Sequence, residues 1–235
     1  MWRSLLEIVV NKLYRRLGGI GLALIMIPAF IGLLACMPVP IGDPERSKID
    51  DDLTGVWIGA VDDEVNLFFY EPYDKRTWLV RQYEVGGSYD KPAIELSYEE
   101  AIAAVDTEDF DGDEFVVYKA WRTKLGKHWF VVWEIMGEVP GYKLTTGEGK
   151  FWYVWRIEKL GAGRIRMYMV DSDYDGFEDI EGFDSDDEDR NLRKLRRAAE
   201  KVIKRNIDDP DLYQYYEDDD SFVMFRLTSE DFDSL

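Results

Sequence analysis

Residues 128–135 read His-Trp-Phe-Val-Val-Trp-Glu-Ile, and residues 151–158 read Phe-Trp-Tyr-Val-Trp-Arg-Ile-Glu. In the first stretch Trp129, Val131, Trp133 and Ile135 recur at every second position; in the second, Phe151, Tyr153, Trp155 and Ile157 do. A period of two, built from aromatic and β-branched residues, is the pattern of a strand with one face on a core. The same pattern extends outward in both directions. Ile165, Met167 and Met169 alternate with Arg164, Arg166 and Tyr168, and Val223, Phe225 and Leu227 alternate with Met224 and Arg226. Strands are expected near 55–60, 64–71, 76–84, 114–122, 128–136, 151–158, 164–170 and 221–227. Val61-Asp62-Asp63, Lys124 to Lys127 and Leu160 to Gly163 supply hairpin turns between them.

Helical signals are fewer. Tyr98 to Val105 suits a short helix. Asp189 to Arg205 places Leu192, Leu195, Ala199, Val202 and Ile203 on one stripe, the mark of an amphipathic helix. About eight antiparallel strands exceed what a flat sheet of this size holds, and closure removes the exposed edges. The expected fold is therefore mainly β: an up-and-down antiparallel barrel or strongly coiled sheet, with the amphipathic helix before the last strand.

The chain has 235 residues, of which 48 are acidic and 29 basic, for a net charge of −19. Such acidity argues against nucleic acid as a partner, because phosphate backbones require clustered Lys and Arg. One cysteine excludes an internal disulfide framework, and one histidine leaves little room for a Ser-His-Asp triad. No Gly-X-Ser-X-Gly, phosphate-binding glycine loop or His-Glu-X-X-His is present. The expectation is a protein that is not an enzyme.

The charge is unevenly distributed. Residues 1–35 carry Arg3, Lys12, Arg15 and Arg16 against Glu7 alone, and Leu17 to Ala35 has no charged side chain. From Cys36 onward the net charge is −22. A basic segment followed by an apolar run and a small residue is the layout of an export signal. The run ends in Leu33-Leu34-Ala35-Cys36, which resembles the lipobox of bacterial lipoproteins. The resemblance implies cleavage before an acylated Cys36, an envelope location and, since Met37 follows, the outer membrane in a Gram-negative cell. An uncleaved membrane helix is the alternative, since 19 uncharged residues can span a bilayer. The expected organisation is a signal peptide at 1–35, the acylated cysteine and a proline-rich linker at 36–52, and one domain at 53–235.

Gly55-Val56-Trp57 resembles the Gly-X-Trp opening of lipocalin-like barrels. The order of parts is also similar to that of a group of uncharacterised bacterial lipoproteins. The matching pieces are Leu53 to Trp57, Met169-Val170-Asp171 ahead of a helical segment, and Leu227-Thr228-Ser229-Glu230 after the last strand. The chain departs from true lipocalins in lacking their Thr-Asp-Tyr-type motif and in carrying a long stretch from Gly86 to Asp113. The resemblance implies a barrel holding a small apolar or envelope-derived ligand. The alternative is an interaction lipoprotein whose filled barrel presents an acidic surface to a basic protein or to Ca²⁺.

Candidate binding residues follow from these two readings. Trp129, Trp133 and Trp155 share the apolar strand faces and are candidates to grip a ligand, with core filling as their ordinary role. Trp152, on the opposite face with Arg156 and Glu158, is the candidate for surface contact. Asp171, Asp173, Asp175 and Asp179, with Gly176 between them, follow the oxygen spacing of a Ca²⁺ loop, although position 12 is Gly182. Asp106, Asp109, Asp111 and Asp113 form a second acidic cluster that reads as a turn. The bases of the amphipathic helix suit either anionic lipid or self-pairing with acids such as Glu217 to Asp220. The charge balance favours self-pairing.

Overall fold

The computed structural model describes residues 36–61, 64–85, 93–105, 115–136, 152–161, 163–183, 191–214, 222–228 and 231. Residues 1–35, where a signal peptide is expected, and the acidic stretches 106–113, 184–189 and 217–220 lie outside them.

The described residues form nine strands: β1 (Gly55–Val61), β2 (Glu64–Pro72), β3 (Trp78–Glu84), β4 (Val116–Leu125), β5 (His128–Ile135), β6 (Trp152–Gly161), β7 (Arg164–Val170), β8 (Tyr213–Gln214) and β9 (Phe222–Arg226). Each of the first seven pairs antiparallel with its successor. Strand β9 then pairs with both β7 and β1, closing an eight-strand barrel. The two-residue β8 continues the sheet beside the end of β7. Two helices accompany the barrel: α1 (Tyr98–Ala103) and α2 (Leu192–Arg205), the latter before the last strands. The mainly-β barrel expected from the alternation is thus the observed fold.

The interior is built from the residues that the alternation selects. Trp57, Phe68, Tyr70, Trp78, Tyr118, Trp133, Trp155 and Phe222 are all buried in one cluster with Val80, Val131 and Met167. Trp133 lies at its middle, with ring centroids 5.2 Å from Tyr118, 5.3 Å from Trp155 and 5.6 Å from Phe68. Phe222 completes the ring, 5.2 Å from Trp155 and 5.6 Å from Phe68. Tilted aromatic pairs of this kind add about 0.5–1.5 kcal/mol each beyond area burial.

The outer faces are also apolar, which the search for one buried face does not anticipate. On one side α1 and its preceding turn cover Ile58, Leu67, Tyr83, Val223 and Phe225. On the other, α2 packs Leu195, Ala199 and Ile203 over Trp121, Phe130, Val132 and Val154. Trp152 belongs to this second layer at 4% exposure, so the surface role expected for it fails. The helix starts at Leu192, where the Asn191 side chain accepts the Lys194 N–H at 3.0 Å.

The segment read as a linker is a wall of the same layer. Met37, Val39 and Ile41 are buried, alternating with Pro38 and Pro40. The Met37 backbone exchanges hydrogen bonds of 2.8 and 3.1 Å with Trp152, and the Trp121 indole donates to the Ile41 carbonyl at 2.9 Å. Prolines lack the N–H for a central strand but permit an edge, so an edge wall carries a linker-like composition. Farther on, the chain closes the barrel end. The Trp57 indole donates to the Leu53 carbonyl (2.9 Å), Trp78 to the Thr54 hydroxyl (3.1 Å) and Arg226 to the Thr54 carbonyl (2.7 Å).

Gly59 on β1 makes room for the aromatic interior. A Cβ there would stand 2.5 Å from Phe68 Cε2 and 2.8 Å from Phe222 Cε2. Gly59→Val is expected to destabilise the fold by about 1–3 kcal/mol. Urea unfolding followed by tryptophan fluorescence reads this as a lower midpoint at unchanged slope; an unchanged midpoint would contradict the tight packing.

Candidate functional site

The barrel cavity is occupied by its own side chains. Trp133 (3% exposed) and Trp155 (7%) are parts of that filling, so only Trp129, at 39%, remains available to a ligand. Toward one end of the interior Tyr118 donates to Gln82 (2.9 Å), whose amide donates to Asn66 (3.1 Å). This ladder satisfies polar groups within the wall. Burial pushes the Tyr70 and Tyr118 phenols well above their ordinary range, keeping both neutral.

Among the described residues no group of His, Cys, Asp and Glu side chains is arranged to hold a metal. Asp171 accepts the Asp173 N–H (3.0 Å) and the Gln214 amide (3.2 Å). The loop after β7 is organised by an apolar plug: Phe177 is buried and stacked on Phe183 at 4.8 Å. Gly176 has a packing reason as well, because a Cβ would stand 2.6 Å from the Tyr174 ring and 3.0 Å from Val202. The calcium-like spacing of Asp171, Asp173, Asp175 and Asp179 thus coincides with a turn shaped by aromatic packing.

Cys36 lies at one end of the barrel, 7% exposed. Burial pushes its thiol up, opposed by a hydrogen bond from Tyr153.

Among the described residues, two clefts open on the outside. The smaller, about 580 Å³, runs between Leu96–Tyr98 and Phe225–Thr228. Its Arg164 is engaged, donating to the Ile94 carbonyl and covering the Phe225 ring at 5.1 Å. The larger, about 710 Å³, opens between α2, the chain around Gly42–Lys48 and the ends of β4 and β5. Helix α2 contributes Arg193, Arg196 and Arg197; the N-terminal chain contributes Arg46 and Lys48; β4 contributes Arg122 and Lys124. Only Asp43 and Glu200 oppose them on the lining.

The local folding that assembles this cleft is specific. Ser47 clasps the free edge of β4, its hydroxyl donating to the Arg122 carbonyl (2.9 Å) and accepting the Arg122 N–H (3.2 Å). Gly42, at φ +68°, lies so close to Thr123 that a Cβ would come within 2.6 Å. Its N–H donates to Glu200 (2.9 Å) and its carbonyl accepts from Arg196, tying this segment to α2. Trp129 forms the aromatic wall, with the Arg122 guanidinium 4.4 Å and the Lys124 ammonium 5.3 Å from its ring centroid. Among the described residues no base of α2 forms an ion pair with a carboxylate. The acids named for self-pairing, Glu217 to Asp220, lie outside the described residues.

The helical bases are visible in the sequence, but their convergence with Arg46, Lys48, Arg122 and Lys124 is not. The available signal was Arg122 and Lys124, which continue the inward positions of β4 after Tyr118 and Ala120. Charge at such positions marks the end of a barrel interior.

Next to Trp129, His128 lies 3.7 Å from Asp208. Burial first, then the charges of Arg156 and Lys127, hold its imidazole below the ordinary 6.5, while Asp208 pulls upward. The unfolded chain therefore binds this proton more readily. The stability contributed is complete above pH 6.5 and is lost as pH falls through the lower folded value. As the chain's single histidine, it can be titrated directly by NMR. A midpoint below 6.5 is expected, moving lower still in Asp208→Asn; a midpoint above 6.5 would contradict this environment.

Comparison with models of known protein families, with curated proteins and with solved structures gave no match.

Proposed function

We propose that this chain is a lipid-anchored cell-envelope protein of the lipocalin-like type, whose barrel is a filled scaffold and whose binding surface is external. The observation that carries this reading is the aromatic interior around Trp133. A carrier of small apolar molecules needs an internal cavity of roughly 300 Å³ or more, whereas both described clefts open outside the barrel. No catalytic role is assigned. The acidic surface, net −22 from Cys36 onward, supports solubility and contact with basic partners.

Support for the anchor comes from the lipobox-like Leu33-Leu34-Ala35-Cys36 and the charge-free run before it. Acylation at Cys36 would seat the barrel against the bilayer, because Met37 already pairs with Trp152. In cells fed a labelled fatty acid, wild type is expected to take up label and fractionate with membranes. Cys36→Ser is expected to lose the label; a labelled variant would overturn the anchor. Native mass spectrometry of protein purified from its own envelope is expected to show no stoichiometric apolar ligand. A retained one would overturn the filled scaffold and restore the carrier.

A further inference from the structure

We propose that the cleft between α2 and the ends of β4 and β5 binds a small soluble polyanion carrying two or more phosphate groups. Seven cations line it, in a chain whose acids outnumber its bases 48 to 29. The two carboxylates present are engaged within the lining and offset only part of this charge. Glu200 accepts the Gly42 N–H at 2.9 Å, and Asp43 accepts the Glu45 N–H at 3.1 Å while lying 3.6 Å from Arg46. Arg122 pairs with Asp50, but Arg193, Arg196 and Arg197 pair with no carboxylate among the described residues.

This arrangement opposes local helix stability. Arg193 stands in the first turn, where the macrodipole favours acids, and Arg193 and Arg197 are like charges one turn apart. Among the described residues no acid offsets the Arg193–Arg197 repulsion, and a bound polyanion would relieve it. Guanidinium groups hold phosphate through paired N–H bonds, and the strand pair Arg122 and Lys124 is held in place over Trp129. The cleft's 710 Å³ falls within the range of small-molecule sites.

Geometry selects a soluble ligand over a lipid headgroup. The apolar stripe of α2, Leu195, Ala199 and Ile203, faces the barrel, which leaves Leu192 as the one large apolar side chain that the helix exposes, too little to seat it in a bilayer. Cys36 neighbours Tyr118 on β4, and the six residues from Tyr118 to Lys124 rise about 20 Å. Under the anchor reading, and only there, the cleft is thereby held away from the membrane.

The test is calorimetric titration of the full chain in neutral detergent with inorganic tripolyphosphate. One-to-one binding is expected. Arg193→Ala/Arg197→Ala should weaken it at least tenfold, while Lys201→Ala/Lys204→Ala, an equal charge loss off the cleft, should change it less than twofold. The first variant should unfold at an unchanged or higher denaturant concentration, because repulsion is relieved. Absence of binding at millimolar tripolyphosphate, or equal weakening by both pairs, would overturn the site. So would binding to phosphatidylglycerol vesicles that tripolyphosphate fails to displace, which would assign the cleft to lipid. Cys36→Ser should bind tripolyphosphate as wild type does, so failure of the anchor and failure of the cleft are distinguishable.

Discussion

The structure depends on the packing of large rings inside a closed strand cylinder. Eight strands enclose a bore just wide enough for side chains to fill, and here Trp133 and its neighbours fill it with aromatic rings. That choice dictates small residues opposite them: Gly59 on β1 and Ala120 on β4 leave the space that the rings occupy. It also dictates polar partners for the indoles at the barrel end. Trp57 and Trp78 find theirs in the turn at Leu53 and Thr54, which is how that turn comes to close the bore.

Because the interior is solid, the wall has two apolar sides to satisfy. The strands carry Val, Ile and aromatic residues on the outward positions too, and the chain covers these with α1 on one side and α2 plus Met37–Ile41 on the other. The result is three apolar layers where a solvated barrel would have one. The larger cleft lies where the second covering ends, bounded by α2 and the N-terminal chain. It is a product of wrapping and not of the barrel topology.

The strands were legible because periodicity is local. The alternation through Trp129–Ile135 and Ile165–Met169 located β5 and β7 nearly to the residue, and the stripe of Leu195, Ala199 and Ile203 located α2. What was not legible depends on distant partners. Proline and charge made Met37–Asp52 read as a linker, since nothing local tells that Trp121 and Trp152 await Ile41 and Met37. The loop after β7 shows its carboxylate spacing in the sequence, but nothing local tells that Phe177 stacks on Phe183 or that Tyr174 and Val202 leave Gly176 no space for a side chain. The cleft draws on three separate stretches of chain, so only the helix third of it was visible as a basic face.

The pairing of Met37 with Trp152 determines reach. A domain on a long leash samples a hemisphere above its attachment point and meets partners in many orientations. Here the folded wall begins one residue after Cys36, and no slack remains to pay out. Any attachment at that cysteine becomes a pivot with little freedom, and the barrel would present the same flank outward at all times. Encounter with a partner would then be governed by where the partner travels and not by how far this protein can swing.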